Sequence, residues 1–194
     1  MDIDRQTSTS YHEIHKGHME RYRFAMSKVF GYVLDCACGN GYGSYMLQQA
    51  KTSVTGVDIE PEAIKAAQEH FPGPDYYVGD AREVDGIWTK SEFKFDWIVS
   101  FETIEHITEP EKAIRAFREC GKNLIISTPN ERLQPWQPWD HSESKYPHQR
   151  HFTPKEFYEL LNDNGWDVVE RWGQEKKKSP VTQCDGVFLV WVCK

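Results

Sequence analysis

The stretch VLDCACGNGYGS at residues 33–44, followed by VTGVDIEP at residues 54–61, decides how this chain is read. An apolar run ends in Asp35, and a loop carrying Gly39, Gly41 and Gly43 follows. Helix-like sequence comes next, and a second apolar run ends in Asp58. A strand, glycine loop, helix and strand in that order hold a ribose-bearing cofactor at the carboxyl ends of parallel strands. The spacing departs from a dinucleotide site, which needs G-x-G-x-x-G/A so that pyrophosphate can rest on a helix N-terminus. Here the loop reads G-x-G-x-G, and Ser44 takes the third place of that pattern. Asp35, just before the loop, would repel a pyrophosphate. It suits a cofactor that brings positive charge and no phosphate.

Alternating elements run through the rest of the chain. Residues 11–30 read as one or two helices with Tyr22, Ala25, Met26 and Val29 on an apolar stripe. Strands are expected at 32–36, 53–58, 75–79, 96–101 and 123–127. The run at 96–101 is continuously apolar, as a strand buried on both faces should be. Helices follow the glycine loop to about residue 50 and open at Pro61, since proline suits a first helical turn. Thr108 with Glu111, and Thr153 with Glu156, read as two capping boxes. The first starts a helix to about residue 118; the second starts one whose inner face carries Phe157, Leu160 and Leu161. Gly165 ends that helix, and residues 167–173 and 186–194 read as a closing strand pair. Strands alternating with helices imply an α/β fold, a parallel sheet with helices on both faces.

Composition narrows the function. With 194 residues the chain is long enough for one well-cored domain and short for two. A net charge of −7 argues against a broad duplex-nucleic-acid surface, which would be basic. Lys176, Lys177 and Lys178 form the one basic run, read as a solvated loop tip. The polar start MDIDRQTSTS has no apolar core of a signal peptide, and the apolar run at 187–193 falls far below the roughly 20 residues of a membrane span. Five cysteines without a C-x-x-C pair suit a reduced, cytoplasmic protein. Cys36 and Cys38 are read as small packing residues.

At the glycine loop the chain resembles the class I (Rossmann-like) S-adenosylmethionine-dependent methyltransferases of the bacterial and phage small-molecule type. The likeness continues through YYVGDARE at 76–83, FDWIVSFETIEHI at 95–107 and NLIISTPNE at 123–131. It implies a three-layer sandwich around a seven-stranded, mostly parallel sheet whose last strand is antiparallel. It also implies S-adenosyl-L-methionine as cofactor, whose ammonium and sulfonium suit Asp35. The implied cofactor site runs through Asp35, Ala37, Gly39, Asn40, Gly41, Tyr42 and Gly43 in the loop. It continues with Asp58, on the ribose hydroxyls, and Ile59 after the second strand. Asp80, near the adenine edge, and Ala81 follow the third strand, and Phe101 and Glu102 end the fourth.

Two stretches exceed the minimal scaffold. The N-terminal region, residues 1–30 with Tyr11, His12, His15, His18, Arg21, Tyr22 and Arg23, is expected to form a lid. Residues 131–152 concentrate Trp136, Trp139, Tyr146, His141, His148 and His151 in a loop longer than a connection requires, and are read as a substrate loop. An activated methyl donor asks the protein mainly to hold and desolvate the acceptor, and a hydroxyl acceptor benefits from a base. His106 is the first candidate base and His151 the second. Glu102, Glu105 and His106 reproduce an E-x-x-E-H pattern that small-RNA 3′-terminal 2′-O-methyltransferases use for a divalent metal, with a further histidine from 131–152. The same pattern occurs in enzymes resembling the ubiquinone-biosynthesis O-methyltransferase, and transfer without a metal is expected here. The resulting expectation is a single-domain enzyme that methylates an oxygen of a small-molecule, sugar or lipid-linked acceptor. The alternatives are a metal-dependent RNA 3′-terminal 2′-O-methyltransferase and a non-catalytic cofactor-binding subunit.

Overall fold

A computed structural model of the chain describes residues 15–88, 94–137 and 145–194. Tyr11, His12, Trp139 and His141 lie outside the described residues. The seven strands stand in the order β3-β2-β1-β4-β5-β7-β6. They are β1 (Tyr32–Cys36), β2 (Ser53–Asp58), β3 (Asp75–Val78), β4 (Phe95–Phe101), β5 (Gly121–Pro129), β6 (Val168–Gln174) and β7 (Phe188–Cys193). The first five pair in parallel, while β7 runs antiparallel to both β5 and β6. This is the expected sheet. The chain leaves β1 toward β2 on one side and returns to β4 on the other, so the carboxyl end of β1 is a topological switch point.

Side chains alternate across each strand and build two cores. On one face Leu34, Cys36, Ile98 and Leu124 pack with Phe117, Phe157, Trp166 and Trp191. On the other Val33, Val99, Ile125 and Val190 pack with Tyr22, Ala25, Tyr42 and Met46. The first core is covered by α5 (Pro110–Cys120) and α6 (Pro154–Asp163), the second by α1 (Lys16–Met26) and α2 (Tyr42–Gln48). Burying a side chain such as Phe117 or Trp191 is worth about 2 kcal/mol or more, so these faces hold the layers together. Cys36 and Cys38 are buried free thiols, consistent with packing roles.

The local signals hold at most ends. Thr153 and Glu156 form the expected capping box at α6, with the Thr153 hydroxyl accepting from the Glu156 N–H and the Glu156 carboxylate from the Thr153 N–H. At its far end Gly165 has φ 87°, and the Trp166 N–H reaches back to the Leu161 carbonyl at 3.1 Å. Pro61 opens α3 (Pro61–His70). The box expected from Thr108 and Glu111 does not form. Pro110 takes the first helical turn of α5, so Glu109 becomes the N-cap and no side chain caps the end. The short α4 (Val84–Trp88) is an addition to the sequence reading, too brief for a helical period to show. Lys176, Lys177 and Lys178 are exposed in the β6–β7 connection, as expected.

Candidate active site

The switch point opens into a cavity of about 350 Å³, within the range of small-molecule sites. Its floor is the loop after β1, with Ala37, Cys38, Gly39 and Tyr42. Asp58 and Ile59 enter after β2, Asp80, Ala81 and Arg82 after β3, and Phe101, Glu102 and His106 after β4. His18 and Tyr22 of α1 and Tyr146 complete the wall. Ten of the fifteen residues expected from sequence to bind the cofactor or act as base therefore meet here. Asp35, Asn40, Gly41, Gly43 and His151 do not reach the wall.

Asp58 is held by its neighbours. The Gly39 N–H donates to Oδ2 and the Glu60 N–H to Oδ1, each at 2.9 Å. A carboxylate oxygen has two acceptor sites, so the pair can also take a vicinal diol. Asp80 is engaged differently from the simple adenine-edge expectation. The Arg82 guanidinium clamps both its oxygens and holds its carboxyl below the ordinary range. Ala37 and Glu102 both adopt left-handed backbone, at φ 64° and 51°. For non-glycine residues that costs about 1–2 kcal/mol each, and such strain concentrates at functional positions. The Ser127 hydroxyl holds Glu102 by donating to its Oε1 at 2.7 Å, while accepting from the Glu102 N–H at 3.2 Å.

Asp35 stands behind the wall rather than in it. It is fully buried, and accepts from the Ser44 hydroxyl at 2.6 Å and the Tyr22 hydroxyl at 3.0 Å. Burial pushes its carboxyl up to about 7 against those two bonds, with the Asp58 charge adding to the rise. Its work is to tie Tyr22 of α1 and Ser44 of α2 to the end of β1. Gly41 has the expected positive φ, 86°, but a Cβ there would sit 2.6 Å from the Ala67 Cβ and 2.7 Å from the Tyr76 hydroxyl oxygen. At Gly43 the clash would be with the Tyr22 ring, at 2.0 Å. These two glycines answer to packing of the protein against itself.

Sequence reasoning placed Arg21 on the lid helix without a role. It is buried, stacked 4.5 Å over the Phe188 ring, and its Nη1 donates to Gln174 Oε1 at 2.5 Å. Nη2 is 4.0 Å from Glu102 Oε1, and Nε and Nη2 have no hydrogen-bond partner among the described residues. Arg21 is thus a buried cation behind the wall with two donors unsatisfied among the described residues. Burial, with Arg21 nearby, holds the His18 imidazole well below its ordinary value, hence neutral. The signal that could have exposed Arg21 is its place next to Tyr22 on the inward stripe of α1.

His106 follows β4 in a 3-10 turn (Ile104–His106). Its Nδ1 donates to the Tyr146 carbonyl at 2.7 Å, so in the neutral ring Nε2 carries the lone pair. His151, the second candidate base, is committed elsewhere. Its Nδ1 donates to the Gln134 carbonyl at 2.6 Å, and its Nε2 meets His148 Nδ1 at 2.7 Å. Both ring nitrogens are used within the protein, which removes it as a base in this cavity. The carbonyl at one end of this chain makes His148 the donor, and its Nε2 is an acceptor like that of His106. Glu105, also fully buried, accepts from the Thr128 hydroxyl at 3.4 Å, while its Oε1 has no partner among the described residues. Burial and the Glu102 charge push its carboxyl well up. Ligand atoms of Glu105, His106 and His148 lie within 4.8 Å of one another, a group able to take a metal ion; Glu102 stands outside it. No helix among the described residues is long and apolar enough to cross a membrane.

Residues 12–171 match the methyltransferase domain family. A ubiquinone biosynthesis O-methyltransferase of Cereibacter sphaeroides is 27% identical over 158 residues, covering 73% of this chain and 62% of the relative. The chain thus spans less than two thirds of that relative's length. A solved S-adenosylmethionine-dependent methyltransferase from Corynebacterium glutamicum superposes with a TM-score of 0.64 at 22% identity, covering 94% of this chain and 88% of that one. Magnesium protoporphyrin IX methyltransferase from Synechocystis, solved with S-adenosylhomocysteine bound, gives 0.66 at 16% identity over 91% and 83%. At these identities the two structures speak for the fold alone. With its family match, its seven-stranded sheet and its cavity at the switch point, the chain belongs to the methyltransferase domain family.

Proposed function

We propose that this enzyme methylates an oxygen of a small-molecule, sugar or lipid-linked acceptor in the cytoplasm, with His106 as general base. The observation that carries this is the His106 Nδ1–Tyr146 carbonyl bond, which fixes the tautomer with its lone pair on Nε2 in a ring lining the cavity. The cofactor, when bound, supplies a methyl group already activated by a sulfonium. Asp58 would accept its two ribose hydroxyls, and Arg21 its carboxylate through Nε and Nη2. Ile59, Ala81 and Phe101 offer apolar walls for adenine. His106 Nε2 would take the hydroxyl proton as the acceptor oxygen gains the methyl that the sulfonium gives up. The positive charge of the donor would then rest on the His106 imidazolium, so charge is conserved. The cited relative's O-methyltransferase activity supports an oxygen acceptor.

The test is transfer of labelled methyl from S-adenosylmethionine by the purified chain to pools of nucleotides, sugars, quinols and small RNAs, with and without chelator. Label should enter a hydroxylated small molecule, and His106→Ala should slow transfer about 10²-fold while S-adenosylhomocysteine affinity stays within a few-fold. Label on nitrogen or carbon would overturn the reading. A second reading is favoured by the convergence of Glu105, His106 and His148: a divalent ion there would bind an acceptor with paired hydroxyls, including an RNA 3′ end. Transfer lost with chelator and restored by magnesium or manganese would select it.

A further inference from the structure

One residue outside the motif-bearing loops touches both sides of the cavity. β2 and β4 flank β1 in the sheet, so the connections after them stand on opposite sides of the glycine loop. Glu60 belongs to the first connection, Glu105 and His106 to the second. The Tyr146 hydroxyl donates to Glu60 Oε2 at 3.1 Å, and the Tyr146 carbonyl accepts from His106 Nδ1 at 2.7 Å. This single residue, itself part of the wall, therefore bridges the mouth above the end of β1. The far side of the bridge is anchored by backbone, with the Gln149 N–H donating to the Glu105 carbonyl at 2.7 Å. On the near side the described contacts to Glu60 are made by side chains: the phenol, and an ion pair from Lys145 to the same Glu60 oxygen at 2.5 Å. Lys145 is two-thirds exposed, and solvent-screened pairs of that kind contribute little. Backbone anchorage at one end, against side-chain contacts of which one is solvent-screened at the other, points to the Glu60 end as the one that opens.

We infer that Tyr146 is a positioning residue: its phenol clasps Glu60 across the bound cofactor, and its carbonyl, held in place by that clasp, orients His106. This rests on the reading of the cavity as the cofactor site and of His106 as the base. Exchange of cofactor requires the clasp to open, and only the closed state presents His106 in its Nδ1–H form with Nε2 toward the acceptor. Enclosure of the cofactor and readiness of the base are thereby one event.

The experiment uses the full chain and S-adenosylhomocysteine as the probe, with dissociation followed by stopped-flow tryptophan fluorescence. Tyr146→Phe keeps the ring and the carbonyl and removes only the clasp; it should speed dissociation about tenfold. Glu60→Ala should do the same, because the Glu60 side chain makes no cap bond to α3 and its loss leaves that helix start intact. The double variant should be no faster than the faster single, as expected for one shared contact. Glu60→Gln, which retains an acceptor for the phenol, should restore slow release. Nitrogen-15 spectra of the histidine rings should show His106 fixed as the Nδ1–H tautomer in the wild-type complex and averaged in Tyr146→Phe. Dissociation unmoved in both single variants, or additive in the double, overturns the clasp. An unchanged His106 signal in Tyr146→Phe overturns the positioning role. A wild-type chain that fails to bind S-adenosylhomocysteine overturns the cavity reading and the clasp with it.

Discussion

Asp58 ends β2 and Glu102 follows β4, the two strands that flank β1, and these acids are held in opposite ways. Asp58 receives two backbone N–H groups, from Gly39 and Glu60, in a turn its own sequence dictates. Glu102 sits in left-handed backbone, and its partners Ser127 and Arg21 come from β5 and α1. The Asp58 side is thus a preformed cradle whose geometry is local. The Glu102 side, with His106 and Tyr146, is assembled from distant segments and stores strain. A rigid cradle suits an invariant cofactor, and an assembled, strained wall suits chemistry and an acceptor that must come and go.

Gly41→Val should break the cradle outright. Left-handed φ costs a β-branched residue at least about 1–2 kcal/mol, and overpacking against Ala67 and Tyr76 adds about 1–3 kcal/mol. Denaturant melts should show that loss, and calorimetry no S-adenosylhomocysteine binding. Normal binding by this variant would mean the loop is not the site. Asp58→Ala tests the same side more gently. Charge-assisted bonds contribute about 1.5–3 kcal/mol, so affinity should fall about ten- to a hundredfold in calorimetry, with an unchanged dissociation constant refuting the ribose role.

On the assembled side, Arg21→Leu should weaken S-adenosylhomocysteine binding about tenfold and also lower thermal stability. It strands the buried Gln174 Oε1 and leaves the Glu102 carboxylate without its cation, and removing one partner of a buried pair destabilises the fold. Equal affinity would leave Arg21 a structural role only. The smallest effect should be one of pH. Because Asp35 titrates near 7 in the fold and near 3.8 when unfolded, the folded chain holds the extra proton between those values. Its contribution to stability is complete below about pH 4 and is lost as pH rises through 7. Asp35→Asn keeps an acceptor for Tyr22 or Ser44 and stays neutral. Melts from pH 5 to 8 should therefore fall less steeply than wild type, and parallel curves would contradict the buried, proton-holding state.

Much of the cradle was legible because its contacts are short in sequence or set by strand period. The alternation around β1, the positive φ at Gly41 and the turn at Asp58 follow from residues within one unit. Even there the reasons shifted: Gly41 and Gly43 make room for Tyr76 and Tyr22, and Asp35 serves the wall from behind. His151 stood as the second candidate base behind His106. What separates them is which carbonyl each ring meets, and that is decided by a loop whose path local sequence does not restrict. The box at Thr108 failed because Pro110 moved the helix start.

By itself, the sequence determined the order of elements, the parallel sheet, the switch point and the acid that ends β2, because period, glycine and proline act over a few residues. Tertiary structure alone decided that Arg21 meets Gln174 across 153 residues and that Tyr146 meets Glu60 across 86. Such pairs carry no local signature. They exist because closing the sheet and packing α1 against it bring distant side chains to one cavity, and only there do their charges and lone pairs find partners.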